Sequence, residues 1–155
     1  MLIGFGARHA DIVALADQLD VENIRFLEYQ PRERLSDSLA SADVHFVGLG
    51  RGLAGYVVPS RLYGIMAAGR PVIVAADDES ETAGLVTRVG AGIVVSPGRP
   101  KVLAGAIRAA YDAELDLAEM GRRAREYATS EADRDIAIGR YRELLAGVRG
   151  GASSS

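Results

Sequence analysis

The sequence predicts an α/β protein in which a doubly wound parallel sheet carries helices on both faces and a group of helices closes the chain. Three observations predict it. Short apolar runs alternate with longer stretches whose apolar residues recur at helical spacing. Glycine or proline marks most of the junctions. Beyond Arg99 only the helical pattern continues. Strands alternating with helices of about 10 to 15 residues require parallel pairing through right-handed crossovers.

Leu2-Ile3-Gly4-Phe5 reads as a first strand, ended by Gly6, and Ile12, Val13, Leu15, Ala16 and Leu19 follow at helical spacing. Ile24-Arg25-Phe26-Leu27 is short and rich in β-branched and aromatic residues, a second strand; Pro31 then opens a helix through Leu35, Leu39 and Ala42. Asp43-Val44-His45-Phe46-Val47 is a third strand, and a glycine-rich loop from Gly48 to Gly55 leads to a helix that opens at Pro59 and Ser60 and ends at Gly69. Pro71-Val72-Ile73-Val74-Ala75 is apolar almost throughout, the pattern of a strand covered on both faces; Thr82 to Val89 is a helix closed by Gly90. Gly92-Ile93-Val94-Val95 is the fifth strand, halted by Pro97-Gly98. Helical faces then run through Val102, Leu103, Ala106, Ile107 and Ala110, through Leu115, Leu117, Met120 and Ala124, and through Ile136, Tyr141, Leu144 and Leu145. Residues 1–149 read as one domain and 150–155 as a disordered tail, since Gly150-Gly151-Ala152-Ser153-Ser154-Ser155 has nothing to bury.

Composition narrows the function classes. The chain has 155 residues, 48% apolar and 25% charged, enough for one core. It has no cysteine and only His9 and His45, which excludes thiolate sites and histidine-rich metal cages. A net charge of −3 lacks the basic excess that attracts a phosphate backbone, so no nucleic-acid partner is expected. No window approaches the roughly 20 apolar residues of a membrane span and no export signal is visible, so neither membrane insertion nor secretion is expected and a cytoplasmic location is. Lys101 is the only lysine among 18 cationic side chains; arginine suits bidentate phosphate contacts.

Ligands of doubly wound sheets bind beyond the carboxyl ends of the strands. The loop Gly48-Leu49-Gly50-Arg51-Gly52-Leu53-Ala54-Gly55 has four glycines in eight residues, which lets backbone amides approach an anion, and it enters a helix whose first amides favour a phosphate near Pro59-Ser60-Arg61. A flexible surface loop capped by Ser60 is the equally weighted alternative. Gly50 to Gly55 also spells GxGxxG with Asp77 some 20 residues onward, a dinucleotide-binding pattern, but Tyr56-Val57-Val58-Pro59 separates the glycines from the helix. Asp77-Asp78-Glu79 could be the acidic pocket of a magnesium-dependent receiver, but the next strand ends in Ser96-Pro97 where that pocket needs an aspartate; a solvated acidic turn fits better. His45, inside an apolar strand, reads as a satisfied interior histidine; His9 lies nearer the ligand edge without a visible partner. Arg122-Arg123-Arg125 reads as a solvated helix face. No GxSxG, HExxH or GK[ST] phosphate loop occurs, and no catalytic nucleophile or base is nominated.

Pro59-Ser60-Arg61-Leu62-Tyr63-Gly64-Ile65-Met66-Ala67-Ala68-Gly69-Arg70-Pro71-Val72-Ile73 strongly resembles the PSKLYE-x-MA-x-GxPV segment of retaining, GT-B-type glycosyltransferases of the family 4 kind. Asn23-Ile24-Arg25-Phe26 with Gln30-Pro31, Ala42-Asp43-Val44, Ser80-Glu81-Thr82-Ala83 with Gly90-Ala91-Gly92 and Pro97-Gly98, and Met120 to Arg125 with Tyr141 resemble further family segments in order, from about Leu2 to Leu145. The resemblance implies a Rossmann-like, C-terminal, donor-binding domain that takes a nucleotide-diphosphate sugar, with no cofactor and no metal. It implies diphosphate contacts at Gly55, Pro59, Ser60, Arg61, Gly4 and Gly6, base contacts at Gln30 and Pro31, and sugar or ribose contacts at Glu81 and Thr82. Two departures stand out. The family's E-x7-E glutamates fall here at Tyr56 and Gly64, which are not carboxylates. A strand and helix that precede Leu2 in the family are missing, and in the 3-2-1-4-5-6 order that strand is central; the acceptor-binding N-terminal domain is missing too. The expectation is therefore the donor-binding part of a hexosyltransferase of glycan or polysaccharide biosynthesis, inactive alone, the full-length enzyme working in the cytoplasm at the inner face of the membrane. The alternatives are an NAD(P)-dependent oxidoreductase-type domain and a non-catalytic nucleotide-binding fragment.

Overall fold

The computed structural model describes residues 1–50, 52, 59–132, 136, 138–139, 142–143 and 145. They form two compact units, Met1–Ser38 and Leu39–Ser155. The first contains β1 (Leu2–Ile3), α1 (His9–Gln18), β2 (Phe26–Leu27), a 3-10 turn (Arg32–Arg34) and the start of α2 (Leu35–Ala40). The second continues through β3 (His45–Gly48), α3 (Ser60–Ala67), β4 (Val72–Ala75), α4 (Glu81–Val89), β5 (Gly92–Val95), α5 (Pro100–Tyr111) and α6 (Leu117–Ser130).

All strand pairing is parallel, as the strand-helix alternation requires. The expected single sheet is divided in two, β1-β2 and β3-β4-β5. Register in the larger sheet runs from His45 opposite Val72 and Val72 opposite Gly92.

The core of the second unit gathers on β4. Val72 and Val74 are buried with Leu62, Ile65 and Met66 of α3, Val86 of α4, and Ala124 and Ala128 of α6. Ile73 points to the opposite face and is buried as well, with α5 packed against β4 and β5. Layers of helix on both faces account for the unbroken apolar run in the sequence. Helices α3 and α4 place their apolar stripes inward, and α4 is closed at both ends: the Ser80 hydroxyl accepts from the Ala83 amide at 3.1 Å, and Gly90 follows in the left-handed region at φ 67°.

Element limits are tighter than the sequence suggests. The second strand keeps only Phe26 and Leu27, the third begins at His45 rather than Asp43, and the helix expected from Pro31 starts as a 3-10 turn behind a non-helical Pro31. Ile136 and Leu145 are helical, whereas Tyr141, Leu144 and the tail 150–155 lie outside the described residues. His45 is satisfied as expected, its Nε2 hydrogen-bonding with the Leu39 carbonyl at 2.7 Å.

A close backbone approach in the second unit joins α6 to the turn after α3. A Cβ on Gly121 would lie 2.3 Å from the Gly69 carbonyl oxygen, a backbone atom held by a residue at φ 70°. Gly121→Ala therefore forces α6 away from α3, and the expected loss of about 1–3 kcal/mol is read from urea unfolding midpoints.

The basic cluster of α6 is a solvated face tied within its own helix. Arg122 makes two bonds to Glu119 and one to Glu126, and Arg123 Nε donates to Glu119 at 2.8 Å. Hydrogen bonds from Arg122 and then Arg123 hold the Glu119 carboxyl down at about 2. Because the folded value is the lower one, the contribution is complete above the unfolded carboxyl's ordinary range and disappears as pH falls toward 2. Glu119→Gln is expected to lower the urea midpoint at pH 6 and to have a clearly smaller effect at pH 2.

Candidate functional site

In the second unit the three parallel strands end on one edge, and the loops after β3, β4 and β5 leave from it. The Leu49 amide donates to the Ala75 carbonyl at 2.8 Å and the Ala76 amide to the Val95 carbonyl at 3.1 Å, so pairing extends one residue past both strands. The loop after β3 is then tied across the edge: the Gly52 amide donates to Asp77 Oδ2 at 3.0 Å. Gly52 sits at φ 74°, a conformation that suits glycine and turns its amide toward β4. Asp77 is thus not a purely solvated acid as expected; it is half-buried and positions the glycine loop, while Asp78 and Glu79 are exposed.

Helix α3 begins at Ser60 with Pro59 as its cap residue, and no side chain caps it. The alternative of a loop capped by Ser60 does not hold, because Ser60 is itself the first helical residue. The Leu62 amide donates to the Pro59 carbonyl at 2.9 Å, while the amides of Ser60 and Arg61 and the positive end of the helix dipole have no acceptor among the described residues and lie beside the exposed Arg61 side chain. A parallel crossover starts its helix on the carboxyl side of the sheet, so Pro59, Ser60 and Arg61 lie on the edge where a ligand is expected. Helix α4 starts on the same edge. Its exposed Glu81 can reach a ligand, but Thr82 is 1% exposed and its Oγ1 has no hydrogen-bond partner among the described residues. Gly55 and Tyr56 lie outside the described residues.

The first unit carries the remaining expected positions, at the ends of β1 and β2. Gly4, in the left-handed region at φ 94°, lies under the ring of Tyr29; Gly6 is exposed, and its carbonyl accepts the His9 amide at 2.9 Å. Gln30 is partly buried, its Nε2 donating to the Glu28 carbonyl at 3.1 Å, and Pro31 is exposed. The sequence left His9 without a partner. Its ring meets Phe5 edge-on at 5.1 Å and Phe26 at 5.6 Å. Among the described residues no three acidic or histidine side chains gather to hold a metal.

The dinucleotide-binding alternative required a helix starting inside Gly50 to Gly55 and an Asp77 aimed at that loop. The second condition is met and the first is not, since α3 starts at Ser60. Residues 1–130 match the family model described as glycosyl transferases group 1. This chain belongs to the group 1 glycosyl transferases. It is 30% identical over 150 residues to WcaI of Escherichia coli (strain K12), whose name places it in colanic acid biosynthesis as a glycosyl transferase; the match covers 96% of this chain and 35% of WcaI. It is 32% identical over 108 residues to WbjE of Pseudomonas aeruginosa, named a glycosyltransferase, covering 70% of this chain and 26% of WbjE. The fold is similar to that of WaaG, a glycosyltransferase involved in lipopolysaccharide biosynthesis, with a TM-score of 0.66 and 24% identity over 83% of this chain and 33% of WaaG. The group 1 chain described here thus spans about a third of the length of WcaI and WaaG and about a quarter of WbjE. No helix among its described residues is long and apolar enough to cross a membrane.

The Gly52–Asp77 bond links the β3 loop to the β4 loop through a side chain, so its removal has a local readout. In Asp77→Ala the Gly52 amide is expected to exchange with solvent at least about 10-fold faster, with the β4 amides unchanged, as measured by hydrogen exchange.

Proposed function

We propose that this chain is the donor-binding part of a glycosyltransferase that moves a hexose from a nucleotide-diphosphate sugar to an acceptor in glycan or polysaccharide biosynthesis, with retention of anomeric configuration. The observation that carries the reading is the start of α3: helix amides without a side-chain cap, beside Arg61, on the strand-end edge entered by a glycine-rich loop. Such amides and the helix dipole stabilise a diphosphate without a cation, and a guanidinium can bind it bidentately. Family membership and the names of the relatives support the same class.

In this reading Pro59, Ser60 and Arg61 take the diphosphate together with Gly55, Gly4 and Gly6; Gln30 and Pro31 take the base; and Glu81 addresses donor hydroxyls. Thr82 joins Glu81 only if the first turn of α4 shifts, because its hydroxyl is buried in this conformation. Metal and organic cofactors are not required. An acceptor-binding domain in the longer protein faces this one and completes the transferase, which works on the cytoplasmic side, at the inner face of the membrane.

Titration calorimetry of the chain with UDP, GDP, ADP and NAD, without metal and then with magnesium, tests the reading. One nucleoside diphosphate is expected to bind equally well in both conditions, and Arg61→Ala to weaken it about 10-fold, or about 1.4 kcal/mol. Binding of NAD in preference to every nucleoside diphosphate overturns it.

A further inference from the structure

Two anchored segments meet at the carboxyl edge of the larger sheet. Leu49, where the loop after β3 begins, packs against the core, and its amide donates to the Ala75 carbonyl. After β4 the Ala76 amide donates to the Val95 carbonyl and the Asp77 carbonyl accepts the Ser80 amide at 2.9 Å, so the backbone around Asp77 is held from both directions. The Gly52 amide reaches from the first segment to the second, donating to Asp77 Oδ2 at 3.0 Å. Gly52 is exposed and lies in the left-handed region at φ 74°. An amide offered by such a glycine, just past the end of a parallel strand, is the kind of group that glycine-rich loops turn toward a phosphate oxygen. Here the oxygen that it meets belongs to a carboxylate of the chain itself.

We infer that Asp77 is an internal stand-in for a phosphate of the donor: its carboxylate holds the Gly52 amide, and a diphosphate binds by displacing it. The inference rests on the donor-binding reading. An amide has one hydrogen, and carboxylate and phosphate oxygens accept it in the same charge-assisted way, so the two compete for it. A carboxylate that stays beside a diphosphate also repels it. Asp77 therefore opposes the ligand twice, by occupancy and by charge. Its release needs no shift of β4, since the bonds at Ala76 and Ser80 are made by backbone atoms and a rotation of the side chain frees the Gly52 amide. Asp78 and Glu79, next in the chain, are exposed, so solvent is at hand for the freed carboxylate. The consequence is selectivity: a neutral sugar offers no anion to replace the carboxylate, and the loop stays tied. An Asp77 that only held the loop in its binding shape would have the opposite sign, because its removal would weaken binding.

The test is titration calorimetry of the full chain with inorganic pyrophosphate, UDP, GDP and ADP, in wild type, Asp77→Ala and Asp78→Ala. Asp77→Ala is expected to tighten pyrophosphate and the nucleoside diphosphate that binds at least about 3-fold, because the tied form no longer competes. Asp78→Ala removes an equal charge one residue away and no bond to Gly52, and is expected to change either by less than about 2-fold. In isotope-labelled wild type the NMR coupling across the hydrogen bond, from the Gly52 amide nitrogen to the Asp77 carboxyl carbon, is expected to vanish at saturating pyrophosphate and to persist with a free hexose. Weaker or unchanged binding by Asp77→Ala, or a coupling that survives saturation, overturns the stand-in and leaves the donor reading intact. Equal tightening by Asp77→Ala and Asp78→Ala overturns it in favour of general repulsion. Folded wild type and Asp77→Ala that bind neither pyrophosphate nor any nucleoside diphosphate overturn both. The wild-type coupling decides the matter even if Asp77→Ala does not fold.

Discussion

Burial of β4 on both faces is the constraint on which the second unit depends. Val72, Ile73 and Val74 are all within a few percent of complete burial, and a strand covered on both sides has no freedom of register, because a slip by one residue would exchange the partners of every side chain. With β4 fixed between β3 and β5, the carboxyl ends of three strands share one edge, and each loop departs from a determined point. The Gly52–Asp77 bond then adds a polar tie between two of these loops. The start of α3, with Pro59, Ser60 and Arg61, lies on this fixed edge.

The first unit is organised differently. Ala16 is its only buried residue, and Leu2, Ile3, Ile12, Leu15 and Leu19 remain more than a third exposed. Its two strands contribute two residues each. At the ends of β1 and β2 its contacts are ring to ring and between Tyr29 and Gly4.

Charge is handled locally in both units. Arg122 and Arg123 are committed to Glu119 and Glu126 along one helix, and Arg8 is paired with Asp11. Such pairs contribute little to stability at an exposed surface, but they remove those guanidinium groups from competition for an anion. Arg61, at the start of α3, is on the edge where an anion would be held by helix amides as well.

The order and type of elements were legible in the sequence because apolar period and glycine or proline punctuation are properties of neighbouring residues. Val72 to Val74 declared a strand covered on both faces, Gly90 a helix end, and Pro59-Ser60 a helix start, and each is where the chain alone put it. Pattern could not supply pairing between residues distant in sequence. Asp77 read as a solvated acid, and only the parallel pairing of β3 with β4 brings it to the Gly52 amide 25 residues away. Thr82 read as a ligand contact, and the side of α4 that faces the core buries it. Phe5 and Tyr29 are unremarkable aromatic residues 24 positions apart until β1 pairs with β2; two aromatics each just past an apolar strand were the available signal. Local propensity and period are written along the chain, whereas a site at the end of a parallel sheet is assembled by crossovers that join residues through space, and that joining is decided only when the strands pair.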